Sequence, residues 1–272
     1  MRTTTTKPKL IDEPAKLYHQ KAGDHLSSTN LSRFRRCPQI YYQHRCGLMS
    51  EPERDAYAFG EAFHCLVLEP ERFEQDYLIA DGPINERTGK PYGTETKAYR
   101  SWASAQTRPV VSVDNYAAMC SMSSAIQRHE RAGILLKDAG HGHAEKVLRA
   151  ELHGKPCQIR CDWLDLEVGL IVDLKTTKSL GTFQSSAIAF SYIHQLAFYR
   201  DVANAAGADV DTVAIVAVEK SEPYRCGLFC PSDKSIEQAS DENAAAIAEL
   251  LECERSNVWP TRFEEPILLE LE

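Results

Sequence analysis

The chain has 272 residues, 43% hydrophobic and 26% charged, with a formal net charge of −8. That is enough for one large globular core, and no apolar run reaches the roughly 18 residues that a membrane span needs. The acidic total speaks against non-specific binding of nucleic acid, which is driven by phosphate neutralisation. Its distribution speaks the other way: between Ser27 and Cys46 stand Arg33, Arg35, Arg36 and Arg45 with no acid among them, a local basic track suited to DNA.

The opening MRTTTTKPKLIDEPAK lacks the apolar segment of a signal peptide, and the nine cysteines are irregularly spaced. Both point to a cytoplasmic protein with reduced thiols. Residues 1–24 are polar and are expected to form a flexible tail. Ser27, Ser28 or Thr29 caps a helix through Phe34, and Cys37-Pro38 ends it and opens the next, PQIYYQHRC. DAYAFGEAFHCLVL, Asp55 to Leu68, is a strongly apolar helix in which Gly60 and His64 share a face, leaving room beside the histidine. Asp81–Gly93 reads as an exposed loop, followed by helices near Thr94–Gln106 and Ser112–Lys137 and a stop at Gly140-His141-Gly142.

From His143 the period changes. AEKVLRAEL, CQIRCDWLDLE and LIVDLKTT are three strands joined by tight turns at HGKP and near Val168-Gly169. The third is apolar up to Asp173, as in a strand covered on both faces. One long helix is expected over Gln184–Ala206, then a strand DTVAIVAVEK, a further strand near Tyr224–Phe229, and a helix capped by Ser232 running to Asn257. The fold class is α/β, a mixed sheet flanked by helices. A helical part, 25–142, precedes a sheet core, 143–230, and a C-terminal helix and tail, 231–272, in one domain spanning 25–272.

The chemistry gathers at Cys161–Lys175. Asp173 and Lys175, two apart on a strand, must point to the same side, and Asp162 lies on the neighbouring strand. Two carboxylates and an ammonium so placed can hold a divalent cation and steer a water; oxygen ligands favour Mg²⁺ or Mn²⁺ over zinc. The Leu174 carbonyl is a further candidate ligand, with His64 from the helical half and Glu145 from the first strand. Gln195 and Tyr199, at i and i+4, share a helix face that can hold a phosphate or a water. Plain structural alternatives stand beside each. Asp162 and Asp173 would be ion-pair partners of Arg160 and Lys175, Glu145 an exposed edge residue, His64 a satisfied core histidine, and the Gln–Tyr pair packing with a polar rim. Cys37, Cys226, Cys230 and Cys253 do not have the spacing of a metal knuckle.

Together these residues resemble the PD-(D/E)xK nuclease superfamily. Asp162 stands at its first acidic motif, Asp173-Leu174-Lys175 matches (D/E)xK, and Gln195 with Tyr199 matches the QxxxY of the RecB-like branch. SSTNLSRFRRCPQIYY looks like that branch's Ser-rich, Cys-Pro opening. FGEAFHCLVLEPERF, AGHGHAEKVL, QIRCDWLD and IVDLKTT, in this order, look like the RecE-type exonucleases: the C-terminal nuclease domain of exodeoxyribonuclease VIII and related phage enzymes. The likeness runs from about Leu26 to Trp259.

The resemblance implies an α-β-β-β-α-β core and a Mg²⁺-dependent 5′→3′ exonuclease, with Mn²⁺ substituting. Such an enzyme acts on ends of linear duplex DNA, releases 5′-mononucleotides and leaves a 3′ strand for a RecT-type annealing partner. It also implies a homo-oligomer, a tetrameric ring in RecE, and a phage or prophage origin in a bacterial host. His64, Asp162, Asp173, the Leu174 carbonyl and Glu145 would bind metal, with Glu145 alternatively placing the water. Lys175 would be the catalytic lysine, and Gln195, Tyr199 and the arginines Arg33, Arg35 and Arg36 would meet substrate. RecE carries a long N-terminal extension that has no counterpart here, so a free-standing nuclease domain is expected. A RecB-like single-strand nuclease, an inactive nuclease-fold DNA-binding protein and a hydrolase of small phosphate esters are the rival readings.

Overall fold

In the computed structural model, residues 8–49, 55–136 and 141–268 are described. Five strands lie side by side in chain order: β1 (Gly142–Leu152), β2 (Lys155–Asp165), β3 (Leu170–Thr177), β4 (Thr212–Glu219) and β5 (Cys226–Phe229). Only β3 and β4 are parallel. That single parallel pair needs a crossover, and helical chain between residues 177 and 212 supplies it. Among the helices are α1 (Ser28–Arg36), α2 (Pro38–Arg45), α3 (Asp55–Leu68), α4 (Val113–Arg128), α5 (Tyr192–Ala205) and α6 (Asp233–Ser256). The expected α-β-β-β-α-β order in a mixed sheet is thus present.

Local chemistry explains the joints. Ser27, Thr96, Ser112 and Ser232 each accept a hydrogen bond from a backbone N–H in the helix they precede, and Pro38 occupies the first turn of α2. His153 and Gly154 both take positive φ, 51° and 80°, as the tight β1–β2 hairpin requires. Asp165 Oδ1 accepts from the Glu167 and Val168 N–H groups to close the β2–β3 turn.

The sheet is covered on both sides, and β3 and β4 alternate between two cores. Ile171 and Ile215 face Phe34, Phe198 and Ile247 from α1, α5 and α6. Val172, Leu174, Val216 and Val218 face Phe63 from α3 and Met119 and Met122 from α4. Each such aliphatic side chain contributes about 1.5–3 kcal/mol by leaving water, so the central strands have little freedom to slip register.

Four expectations need correction. Residues 1–7 lie outside the described part, but the rest of the supposed flexible tail is docked. Ile11 exchanges both backbone hydrogen bonds with Val147 at 3.0 Å, which caps the β1 edge. Glu13 is buried and ion-paired to Arg149 and Lys21, and Tyr18 is buried within a helix, Ala15–Gln20. Polar composition suggested a solvated segment; one carboxylate matched to a β1 arginine holds it down instead. The single long helix of 184–206 is two, Phe183–Ala189 and α5, parted at Ser191, whose φ of 58° is left-handed. The 112–137 helix ends at Arg128, before a short turn of helix at Ala132–Leu135; Lys137 and Gly140 are outside the described residues. A two-residue hairpin, Ile84–Asn85 with Lys90–Pro91, lies within the 81–93 loop.

Arg149, with Lys21 and against the cost of burial, holds the Glu13 carboxyl below its ordinary range. Its contribution to stability is therefore complete above pH about 4.5 and is lost as pH falls through the lowered value. Glu13→Ala should cost about 2 kcal/mol at pH 7, the worth of charge-assisted hydrogen bonds to a buried partner, and less at pH 3. Urea unfolding at the two pH values measures this; an unchanged midpoint at pH 7 would mean that the N-terminal segment is not docked.

Candidate active site

The site forms where β2 and β3 come apart. The two strands pair only at Trp163–Val172, Leu164–Ile171 and Asp165–Leu170. Beyond Val172, β3 continues to pair with β4 but has left β2. The β2 edge so exposed is taken up further along by Leu26, whose N–H donates to the Pro156 carbonyl at 2.8 Å and whose carbonyl accepts from Gln158 N–H at 2.9 Å. Inside the fork the Asp162 side chain replaces the missing ladder bond: its Oδ2 accepts from Leu174 N–H at 2.8 Å. A strand residue's N–H and C=O leave on the same side, so the Leu174 carbonyl also turns into the fork.

β1 and β2 distort at the same level. Cys161 packs on the α5 side of the sheet and Trp163 on the α3 side, although strict alternation would give both the same face. β1 changes face likewise between Ala144 and Leu148. The β1–β2 ladder joins Ala144 to Trp163 and Lys146 to Cys161 but omits Glu145, which lies opposite Asp162 with a φ of 55°. A left-handed glutamate costs on the order of 1–2 kcal/mol. Here it gathers Glu145, Asp162 and His64 of α3, whose ligand atoms all lie within 4.8 Å of one another. His64 Nδ1 is 3.5 Å from Asp162 Oδ2. A Cβ added at Gly60, one turn before His64, would meet nothing within 4 Å, so that approach is open.

The other half of the site lies on the α5 side. Lys175 Nζ is 2.5 Å from Asp173 Oδ2, as the two-residue spacing predicts. Gln195 donates to Asp173 Oδ1 at 3.0 Å and to the Tyr199 hydroxyl at 3.2 Å. Tyr199 is itself buried. Tyr199 is therefore not a substrate-facing group: Gln195, half-buried, orients Asp173, and Tyr199 holds Gln195 from behind. Tyr192, three residues before Gln195 on the same helix face, carries the Lys175 ammonium 5.0 Å from its ring centroid. It was missed in the sequence, although its i, i+3 relation to Gln195 was available as a signal. Arg160 was matched to Asp162 as a plain ion pair, but it reaches Glu145, 2.8 Å from Oε2.

The arginine track is also revised. Arg35 contacts His194 at 2.5 Å and Glu242 at 3.3 Å, and Arg45 pairs with Glu254 on α6. Arg33 donates to Asn30 at 2.6 Å, and Arg36 is exposed. Acids from α6, distant in sequence, neutralise much of a stretch that looked purely basic, and Arg35 serves the packing of α1 on α5 and α6.

The electrostatics separate the carboxylates. Burial, reinforced by the neighbouring Asp162 charge, raises the Glu145 carboxyl to about 7 against the pull of Arg160 and His64. Burial also opposes the charge of Asp162, but His64, Lys175 and the Leu174 N–H outweigh it and hold that carboxyl at about 2. Burial likewise disfavours the Lys175 ammonium, yet Asp173 and Asp162 more than compensate and keep it charged. Such a site suits a divalent cation. One imidazole and two carboxylates converge, and Glu145 Oε2 is buried, receives no hydrogen bond and lies beside a cation only in charge contact. Asp173 stands outside this three-residue group because its oxygens are turned to Lys175 and Gln195.

Comparison with known proteins bears on this geometry. A family model described as "PDDEXK-like domain of unknown function (DUF3799)" matches residues 27–268. The chain belongs to this family. It carries a PDDEXK-like domain, in keeping with its resemblance to the PD-(D/E)xK superfamily and the RecE type. A crystal structure from Eubacterium rectale, of a protein provisionally named an exonuclease, superposes with a TM-score of 0.66. The alignment covers 96% of this chain and 97% of that one at 15% identity, which establishes a shared fold. A second solved structure, of SSO0001, aligns with a TM-score of 0.26 over 48% of this chain and 61% of that chain at 15% identity, too little for argument. No curated protein matches. No helix among the described residues is long and apolar enough to cross a membrane.

The raised Glu145 makes a prediction for metal-free protein. Its folded carboxyl holds a proton that the unfolded chain releases near pH 4.5, so stability falls as pH rises from about 4.5 through about 7. His64, raised above 6.5 by Asp162 in spite of its burial, adds to the same slope at the upper end. In excess chelator, Glu145→Gln should flatten this slope and gain about 1–2 kcal/mol at pH 8 relative to pH 5. Urea titrations at both pH values check it, and parallel curves for wild type and variant would contradict it.

Proposed function

We propose that the chain is a Mg²⁺-dependent exonuclease that degrades one strand of linear duplex DNA from the 5′ end. It releases 5′-mononucleotides and leaves a 3′ strand. The observation that carries this reading is the fork: Asp162, Asp173 and Lys175 from two parting strands, backed by Gln195 and Tyr199, with Glu145 and His64 closing the other side. The family match and the ordered likeness to RecE-type enzymes support the substrate class. The same likeness supports a ring-shaped homo-oligomer, a RecT-type annealing partner, a phage or prophage origin and action in the bacterial cytoplasm.

His64, Glu145 and Asp162 would hold the metal; the family likeness adds the Leu174 carbonyl and Asp173, which would turn an oxygen from its present partners Lys175 and Gln195 to join them, and Mn²⁺ would replace Mg²⁺. When bound, the cation supplies positive charge for the phosphate and makes water a stronger nucleophile. Lys175, kept protonated by Asp173, presents its ammonium to the attacking water and to the charge that builds on the phosphoryl oxygens. Gln195 holds Asp173, and through it the lysine, in one position. Because these donors are already oriented, little reorganisation is needed as the phosphorus–oxygen bond breaks.

Asp173→Ala should reduce Mg²⁺-dependent digestion of linear duplex by at least about a thousandfold, a loss of some 4 kcal/mol of transition-state stabilisation, while the protein stays folded by circular dichroism. Lys175→Ala should lose turnover to a similar degree yet still bind Mn²⁺ by calorimetry; equal loss of both would remove the role assigned to the lysine.

Direction and substrate are tested with duplexes labelled at the 5′ or 3′ end, set against closed circular and single-stranded DNA. Early release of 5′ label from linear duplex alone is the expected result, and cutting of the closed circle would overturn the exonuclease assignment.

A further inference from the structure

A projecting turn, linked to Lys175 through Tyr192, carries an aromatic tip that has no part in the metal centre or in the buried core. It joins the Phe183–Ala189 helix to α5 and carries Phe190, 62% exposed, while Ile188 in the last turn of that helix is 65% exposed. Single exposed apolar residues are common on protein surfaces, but these two are held outward by defined geometry. Phe190 N–H donates to the Ser186 carbonyl at 2.9 Å, and Ser191 N–H donates to that of Ile188 at 3.0 Å. Ser191 is left-handed, with φ 58° and ψ 36°, a conformation that costs a non-glycine residue on the order of 1–2 kcal/mol. Its effect is to throw Phe190 outward while turning Tyr192 back over the site.

An aromatic series runs from the core to that tip. Buried Phe183 packs on Phe229 at 4.4 Å between centroids and on Tyr192 at 6.1 Å. The Tyr192 ring lies 5.0 Å from Lys175 Nζ, and the Phe190 ring is stacked 5.8 Å from it. Phe190 is therefore only a few base-stacking spacings of roughly 3.4 Å from the lysine. On α3, which supplies His64, Tyr57 is 54% exposed and close enough to Tyr192 to raise the tyrosine's phenol further, after burial and the Asp173 charge.

We infer that Phe190, with Ile188 beside it, is a stacking wedge for the nucleobases at a DNA end. It would receive an unpaired terminal base while the adjoining phosphate sits at Lys175. Aromatic stacking suits this task because every base has a π-face, so affinity for an end is gained without sequence preference, at about 1–3 kcal/mol per base. A rigid turn suits it too, since an ordered wedge loses little conformational entropy when a base arrives. The inference rests on the nuclease reading above but concerns residues outside the metal centre, and it explains how an end, rather than duplex interior, would be engaged.

The test uses the full chain and a duplex with 2-aminopurine at the 5′-terminal position, in Ca²⁺ and without turnover. Wild type should change the probe's fluorescence on binding. Phe190→Ala should lose most of that change and raise KM for blunt linear duplex about tenfold in Mg²⁺, and Phe190→Trp should restore both. If wild type digests duplex and Phe190→Ala matches it in KM and in the fluorescence signal, the wedge is wrong and the nuclease reading stands. If wild type digests no DNA, the nuclease reading itself has failed, and the wedge falls with it. Sedimentation of wild type and Phe190→Ala provides the remaining outcome: dissociation of an oligomer by the substitution would make this turn a contact between copies and overturn the inference.

Discussion

The parting of β2 from β3 is the constraint on which the rest depends. Two strands in register satisfy each other's backbone groups and leave no room between them. Here the ladder stops after three residue pairs, and the Leu174 N–H finds its acceptor on the Asp162 carboxylate. A side chain that fills a backbone position is thereby fixed as firmly as a strand residue. It has an oxygen committed to structure and a second left for chemistry. Leu26 completes the β2 edge further along, so the fork is a bounded opening in the sheet and not a frayed end.

An opening of this kind lets both faces of the sheet contribute. From the α3 side come His64 and the carboxylates of Glu145 and Asp162; from the α5 side come Lys175, Gln195 and Tyr192. Three carboxylates and one ammonium near one another would be costly in a closed core. The cost is managed by giving each acid a different partner. Asp162 leans on His64 and the Leu174 amide, Asp173 on Lys175 and Gln195, and Glu145 on Arg160 alone, without a hydrogen bond to that oxygen. Glu145 is accordingly driven towards its neutral form, and its backbone is also held in a left-handed conformation. Distorted backbone and an under-compensated charge at one residue mark a place where folding stability has been given up for a site.

Much of this was legible from residue order. Continuous apolar runs located β3 and β4, serine and threonine caps located the helix starts, and the two-residue spacing of Asp173 and Lys175 required their contact. These features depend on neighbours in sequence, where the periods of helix and strand apply directly. The errors fell where a distant residue decides the outcome. Glu13 docks because Arg149 is there to receive it, Arg35 and Arg45 are claimed by Glu242 and Glu254, and Tyr199 is covered and so serves Gln195 rather than a ligand.

The sequence by itself therefore determined the α/β class, the order of the strands and the identities of the acids, the lysine and the histidine, because hydrophobic period and motif spacing are local properties. Only the tertiary structure decided how far β2 and β3 stay paired, which face each carboxylate turns to, and that Ser191 splits the crossover helix so that Tyr192 returns to the lysine while Phe190 projects. Those outcomes are set by competition between packed layers for the same backbone groups and charges, and no window of sequence contains both competitors.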